Sequence, residues 1–193
     1  MDAKFVTVVS GLPRSGTSLM MQALRAGGMP VLADGMRQRD EDNPQGYYEF
    51  EAVKRTKADP AWVAGAMGKA VKMVYQLLYD LPEAYEYRVI FMRRDMREVL
   101  ASQKIMLERR GEQGANISAD RLADLFQRDL EKVYQWLDHQ ANMSMLAVNY
   151  NAMVESPLPE CQRVSAFLGL GLDLEKMALV VDPSLYRNRR TQY

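Results

Sequence analysis

The sequence predicts an α/β domain of three layers, with helices on both faces of a central parallel sheet. Two observations carry that expectation. Short apolar runs bounded by turn residues alternate with longer segments of helical periodicity, the pattern of successive βαβ units. The first apolar run also passes through a glycine-bearing turn straight into a helical segment, the layout of a phosphate loop. A chain of 193 residues fits a single domain, residues 1–193, large enough to bury its own core without a disulfide or structural metal.

The elements follow in order. Phe5-Val6-Thr7-Val8-Val9 is rich in β-branched residues, so a strand is expected over 5–10, with others over 70–75, 88–92 and 145–149. Helices are expected over 17–26, 96–110, 120–140 and 158–168. Asp95 followed three positions later by Glu98 is a capping-box variant that starts the second of them. In the long helix Leu122, Leu125, Phe126, Leu130, Val133, Trp136 and Leu137 recur at helical spacing, one stripe expected to pack on the core. Residues 33–45 are polar, charged and long for a loop in a compact domain, hence either a lid or a mobile connection. The 14 methionines read as core filler.

Charges balance, 25 basic against 25 acidic, so no global field draws nucleic acid or an anionic membrane, and any anion site is local. Nothing approaches the roughly 18 apolar residues of a membrane span, and no signal-like leader precedes the first strand. With Cys161 as the lone thiol, the expectation is a soluble protein of a reducing compartment, the cytoplasm.

The first chemical signal is Gly11-Leu12-Pro13-Arg14-Ser15-Gly16-Thr17-Ser18, between strand and helix. Glycines there let backbone N–H groups turn inward around an anion, and the helix N-terminus adds partial positive charge. Thr17 and Ser18 add hydroxyl donors. A nucleotide triphosphatase needs Lys directly after the second glycine, and that position is Thr17. The cation stands instead at Arg14, on the crown of the loop, within reach of a leaving oxygen. The second signal is Arg93-Arg94-Asp95 after the strand 88–92. It puts Arg94 at the carboxyl edge of the sheet, where open α/β sheets bind ligands. Ser102 lies two turns into the next helix on the same face.

Leu12-Pro13-Arg14-Ser15-Gly16-Thr17-Ser18 resembles the 5′-phosphosulfate-binding loop of sulfotransferases that use 3′-phosphoadenosine 5′-phosphosulfate (PAPS). Arg94 with Ser102 resembles that family's 3′-phosphate site. Ala147-Val148-Asn149-Tyr150, Val154-Glu155-Ser156-Pro157 and Ala166-Phe167-Leu168-Gly169-Leu170 are similar to its final strand, turn and helix. The resemblance implies a sulfotransferase-like fold and sulfuryl transfer from PAPS to a hydroxyl or amine, without a metal. Adenosine 3′,5′-bisphosphate (PAP) would be the leaving product. It implies nucleotide binding by Pro13, Arg14, Ser15, Gly16, Thr17, Ser18, Arg94 and Ser102. The chain departs from the family in being short and in lacking a late Gly-x-x-Gly-x-x-Lys pattern. It ends instead in Arg187-Asn188-Arg189-Arg190, where Arg187 and Arg190 either close over the nucleotide or belong to a disordered tail.

Sulfuryl transfer requires in-line positioning and stabilisation of charge developing on the leaving phosphate oxygen, the role open to Arg14. Lys72, within Val71-Lys72-Met73-Val74, resembles a lysine that some members point at the transferred group. Otherwise it is an outward-facing edge lysine, and embedded in a strand it needs a partner. Glu49, in Asn43-Pro44-Gln45-Gly46-Tyr47-Tyr48-Glu49, resembles the carboxylate base of some branches, with Tyr47 and Tyr48 as an acceptor wall; the alternative is a solvated surface turn. Asp59 and Trp62 are secondary candidates for that wall. His139 falls off the apolar stripe and is expected at the surface. Two rival readings remain: a phosphate-loop kinase of small molecules or nucleotides, which needs ATP and magnesium, and a non-catalytic PAP-binding protein. The acceptor, of small-molecule or glycan type, is not legible, because loops shape its pocket. The oligomeric state is equally hidden.

Overall fold

The structure is a computed structural model that describes residues 4–36, 40, 43, 46–109, 111–112, 117–182 and 184. The strands are β1 (Val6–Gly11), β2 (Val31–Leu32), β3 (Ala70–Lys72), β4 (Tyr87–Arg93) and β5 (Met143–Asn149). All pair in parallel, in the order β2-β3-β1-β4-β5. The described helices are α1 (Thr17–Ala26), α2 (Met96–Arg109), α3 (Ala119–Asp138), α4 (Tyr150–Glu155), α5 (Pro157–Leu168) and α6 (Leu174–Leu179), with short 3₁₀ helices at Glu51–Arg55, Ala61–Ala66 and Tyr75–Asp80.

Every residue of central β1 is buried, Thr7 and Ser10 included, which is why its valines do not alternate strictly with exposed polar residues. Val9, Ile90 and Met92 meet α1, α4, α5 and α6 through Met20, Leu24, Met153, Val164 and Met177. Val8, Val71, Val89 and Phe91 meet α2, α3 and the 3₁₀ helices through Val99, Val133, Leu137 and Leu78. The three predicted layers are therefore present, with buried methionines filling much of the first interface.

Helix α1 has the expected bounds, and the other long elements differ from expectation mainly at their ends. Residues 70–75 form a strand only to Lys72: the Met73 N–H still reaches the Val9 carbonyl, and the chain then turns into a 3₁₀ helix at Tyr75. Asp95 accepts from the N–H groups of Arg97 and Glu98, so it caps α2 as read. Glu98, three positions on, pairs with Arg94 at 2.9 Å. Ser118 caps α3 by accepting from the Arg121 N–H. The apolar stripe of α3 packs fully only towards its C-terminal half, at Val133 and Leu137, whereas Leu125 is 44% exposed. His139 lies at the exposed end of this helix, its Nδ1 donating to the Gln135 carbonyl. The predicted final turn contains α4, capped by Asn149, whose side chain accepts from the Ala152 N–H. Strand β2 and helix α6 were not predicted; both are too short to show periodicity.

Gly11 sets the path from β1 into the loop. Its φ is +145°, and a Cβ there would lie 2.7 Å from the Met92 carbonyl oxygen on β4 and 2.6 Å from Ser15 Oγ. A paired backbone carbonyl cannot retreat without opening the ladder. Gly11→Ala is expected to cost about 2–3 kcal/mol, from strain plus overpacking, a fall in Tm of about 5–10 °C by calorimetry. Gly65→Ala, where a Cβ meets nothing within 4 Å, is expected to leave Tm within about 2 °C. Equal shifts for the two would refute the close approach.

Candidate active site

Two residues give the loop its shape, Arg14 at φ 75° and Gly16 at φ 99°. Glycine adopts that left-handed region freely, but arginine does so at a cost and must be held. Arg14 is held from α2 and β4: its Nε donates to Ser102 Oγ at 2.9 Å, and its carbonyl accepts from the Arg94 guanidinium at 3.2 Å. Gln103, beside Ser102, donates to the Pro13 carbonyl. Gly16 is the N-cap of α1 and offers no side-chain cap to its first N–H groups. A Cβ on Gly16 would lie 2.3 Å from the ring of Tyr150, so the glycine also lets that ring approach the loop.

Arg94 is tightly enclosed. Its Nε donates to Glu98 at 2.9 Å, with side chains 8% and 4% exposed, and its guanidinium lies 4.5 Å from the centroid of the Tyr150 ring. Asn151 Nδ2 donates to both carboxylate oxygens of Glu98. Burial pushes the Tyr150 hydroxyl above its usual range, with Arg94 and Arg14 pulling the other way. Glu98, Asn151, Tyr150 and Gln103 thus belong to the site without having been singled out for it. Glu98 left a trace in the sequence as half of a capping box, and Tyr150 as the end of the final-strand motif.

A second polar group lies on the β3 side. Lys72 donates to the Tyr47 carbonyl, lies 3.8 Å from Glu49 Oε1 and 3.5 Å from Ser18 Oγ, and is 13% exposed. The charge embedded in the strand therefore has its partner. Ser18 Oγ donates to the Tyr47 carbonyl and accepts from Asn43 Nδ2 at 2.9 Å, so this hydroxyl ties the Glu49 segment to the start of α1. The Tyr47 hydroxyl donates to Asp40.

One cleft of about 550 Å³ gathers these groups, lined among others by Arg14, Thr17, Lys72, Glu49, Arg94 and Ser102. Pro13, Gly16 and Ser18 also border it. Ser15 does not: its side chain is buried, Oγ has no partner among the described residues, and its N–H is spent on the Leu12 carbonyl. Of the two tyrosines only Tyr47 faces the cleft, whereas Tyr48, at φ 53°, packs against the core that includes α1. Trp62 stands behind Phe50, edge to face at 6.0 Å, and exposed Asp59 accepts from the Ala61 N–H. Arg187 and Arg190 lie outside the described residues. Among the described residues no group of three or more His, Cys, Asp or Glu is placed to hold a metal, and no helix is long and apolar enough to cross a membrane.

No curated protein matches the chain in sequence. In structure it is similar to the sulfotransferase domain of the olefin synthase of Synechococcus PCC 7002, with TM-score 0.56 and 15% identity over 100% of this chain and 90% of that one. The sulfotransferase domain from the curacin biosynthetic pathway gives TM-score 0.55 and 13% identity, over 100% of this chain and 94% of that one. A mouse sulfotransferase complexed with PAP gives TM-score 0.56 and 16% identity, over 92% of this chain and 63% of that one. At such identities these likenesses establish the fold. The sequence model of the sulfotransferase family matches residues 46–173, two thirds of the chain, beginning after the phosphate loop. The chain belongs to the sulfotransferase family.

Proposed function

We propose that the protein moves a sulfuryl group from PAPS to a hydroxyl or amine of a small acceptor, within a single domain and in the cytoplasm. The observation that supports this most is the convergence of Arg14, Arg94, Ser102, Lys72 and Glu49 on one cleft around a loop with Thr17 in place of the kinase lysine. The loop from Pro13 to Ser18 would cradle the 5′ end with its backbone and α1 N-terminus. Arg94 and Ser102 would read the 3′-phosphate. The C-terminal arginines would close over the nucleotide: Val180 and Asp182 line the cleft, and Arg187 follows within five residues, a reach of up to about 17 Å. Buried Cys161, its thiol pushed up to about 11 by desolvation, is a structural residue and suits a reducing compartment.

In the transfer, the acceptor oxygen or nitrogen bonds to sulfur as the bond from sulfur to the 5′-phosphate oxygen breaks, and PAP departs with the electron pair. Arg14 faces the charge that develops on that oxygen. Lys72 offsets charge on the sulfuryl oxygens, and Glu49 takes the acceptor's proton.

Four outcomes test the reading. PAP without magnesium is expected to raise Tm more than Mg-ATP does, since a ligand of the folded state stabilises by mass action. A larger shift from Mg-ATP would favour the kinase. Arg94→Ala is expected to weaken PAP binding in calorimetry by roughly ten- to a hundredfold, the worth of about 1.5–3 kcal/mol for hydrogen bonds to a charged group. Adenosine 5′-phosphosulfate, which lacks the 3′-phosphate, should change little; equal losses would displace Arg94 from that subsite. Glu49→Gln should lower turnover about a hundred- to ten-thousandfold, with PAP affinity changed by less than about threefold. Arg14→Ala should impair both turnover and, more mildly, PAP binding. Near-normal turnover of Glu49→Gln would place the base elsewhere.

A further inference from the structure

Thr17 and Ser18 are adjacent at the start of α1, and both border the cleft. Their hydroxyls are committed differently. The Ser18 hydroxyl donates to the Tyr47 carbonyl at 3.3 Å and accepts from Asn43 Nδ2 at 2.9 Å and from Lys72 Nζ at 3.5 Å. A hydroxyl has one proton to give and two lone pairs to receive, so the whole capacity of Ser18 is spent. The oxygens of a donor's 5′-phosphate are acceptors, and Ser18 could serve them only by releasing Tyr47. Thr17 borders the same cleft with a hydroxyl that makes no hydrogen bond among the described residues.

What Ser18 holds is a strained turn. Tyr48 has φ 53°, the left-handed region, which a bulky aromatic residue keeps only where its surroundings fix it. The turn lets Tyr47 and Glu49 both border the cleft while Tyr48, between them, packs on the core. It is clamped on each side. Ser18 and Lys72 donate to the Tyr47 carbonyl before it, and the Asp34 N–H donates to the Glu49 carbonyl after it at 3.0 Å. Asn43 belongs to the same clasp: its side chain holds the Ser18 oxygen, and its N–H donates to the Asp40 carboxylate that also receives the Tyr47 hydroxyl.

We propose that Ser18 is a positioning residue rather than a ligand of the donor: with Asn43 it fixes the turn that presents Glu49, and it leaves the side-chain contact with the donor's 5′-phosphate to Thr17. This division rests on the sulfonation reading above, which supplies the donor. The first turn of α1 then serves both halves of the reaction, with one hydroxyl for the nucleotide and its neighbour for the segment that carries the base.

Calorimetry with PAP and amide hydrogen exchange test this together, and neither needs an acceptor. The Asp34 and Glu51 N–H groups, bonded to the Glu49 carbonyl and the Asp34 carboxylate, report on the segment. Thr17→Ala is expected to weaken PAP by about tenfold or more, as the loss of a hydrogen bond to a charged group does, and to leave both exchange rates unchanged. Ser18→Ala and Asn43→Ala should each keep PAP affinity within about threefold and speed both exchanges by about tenfold or more. Ser18→Thr, which retains the hydroxyl, should restore slow exchange. A loss of PAP affinity in Ser18→Ala as large as that in Thr17→Ala would overturn the proposal, as would exchange that Ser18→Ala leaves unmoved. Failure of the wild-type protein to bind PAP would instead strike the sulfonation reading, and with it the role given to Thr17.

Discussion

Arg94 and Glu98 are almost wholly removed from water, and such a pair is tolerable only when its remaining hydrogen-bonding capacity is met. The way it is met organises the site. Asn151 brings the start of α4 to the carboxylate, Tyr150 lies under the guanidinium, and the Arg14 carbonyl accepts from it. Three segments distant in sequence thus converge on one ion pair: the junction of β4 and α2, which carries both partners, the start of α4 and the crown of the phosphate loop. Losing either partner leaves a buried charge uncompensated, a cost of about 3–5 kcal/mol in comparable cases. The pair also supports the unfavourable left-handed backbone of Arg14, which faces the chemistry in the proposed mechanism.

The layers were legible because the strands are buried on both sides and the long helices are periodic. Leu125 marks the limit of that reasoning: periodicity shows that a face is apolar, not how far its partner extends. Short elements such as β2 and α4 escape for lack of length, and α4 also hid behind a Pro-containing segment that reads as a turn. The phosphate loop and the Arg94/Ser102 spacing could be read because each is a local pattern joined to a strand–helix junction. The bond from Arg14 to Ser102 could not, since 88 residues separate them and nothing local encodes their meeting. Ser15 shows the complement: it belongs to the loop motif, yet its side chain is buried in space that the missing Cβ of Gly11 leaves free.

In the proposed mechanism Lys72 and Glu49 join recognition to reaction. Lys72 comes from a strand and is held in register by β1, so its ammonium is placed by the sheet. Glu49 comes from a connecting segment tied down by side chains: Ser18 and Lys72 grip the Tyr47 carbonyl, and the Asp34 N–H donates to the Glu49 carbonyl. The Asp34 carboxylate also accepts from the Glu51 N–H, the interaction that most lowers its pKa. Around the carboxylate, then, a loop has been given the rigidity of a regular element by a few hydrogen bonds.

The strand order also governs how the chain can assemble. β1 is central, and its partners arrive late: Thr7 lies beside Ala70 in β3 and beside Arg88 in β4. At roughly 5–20 residues per second of synthesis, β1 and its phosphate loop wait several seconds for a neighbour. During that time a valine-rich strand is exposed with both edges unpaired, a template for wrong partners. Closing those long loops is slow even once the whole chain is available, so folding is expected to lag behind that of helical proteins of equal size. The loop after β1 therefore takes shape only after the segment carrying Arg94 has docked, and the cleft and the sheet form as one event.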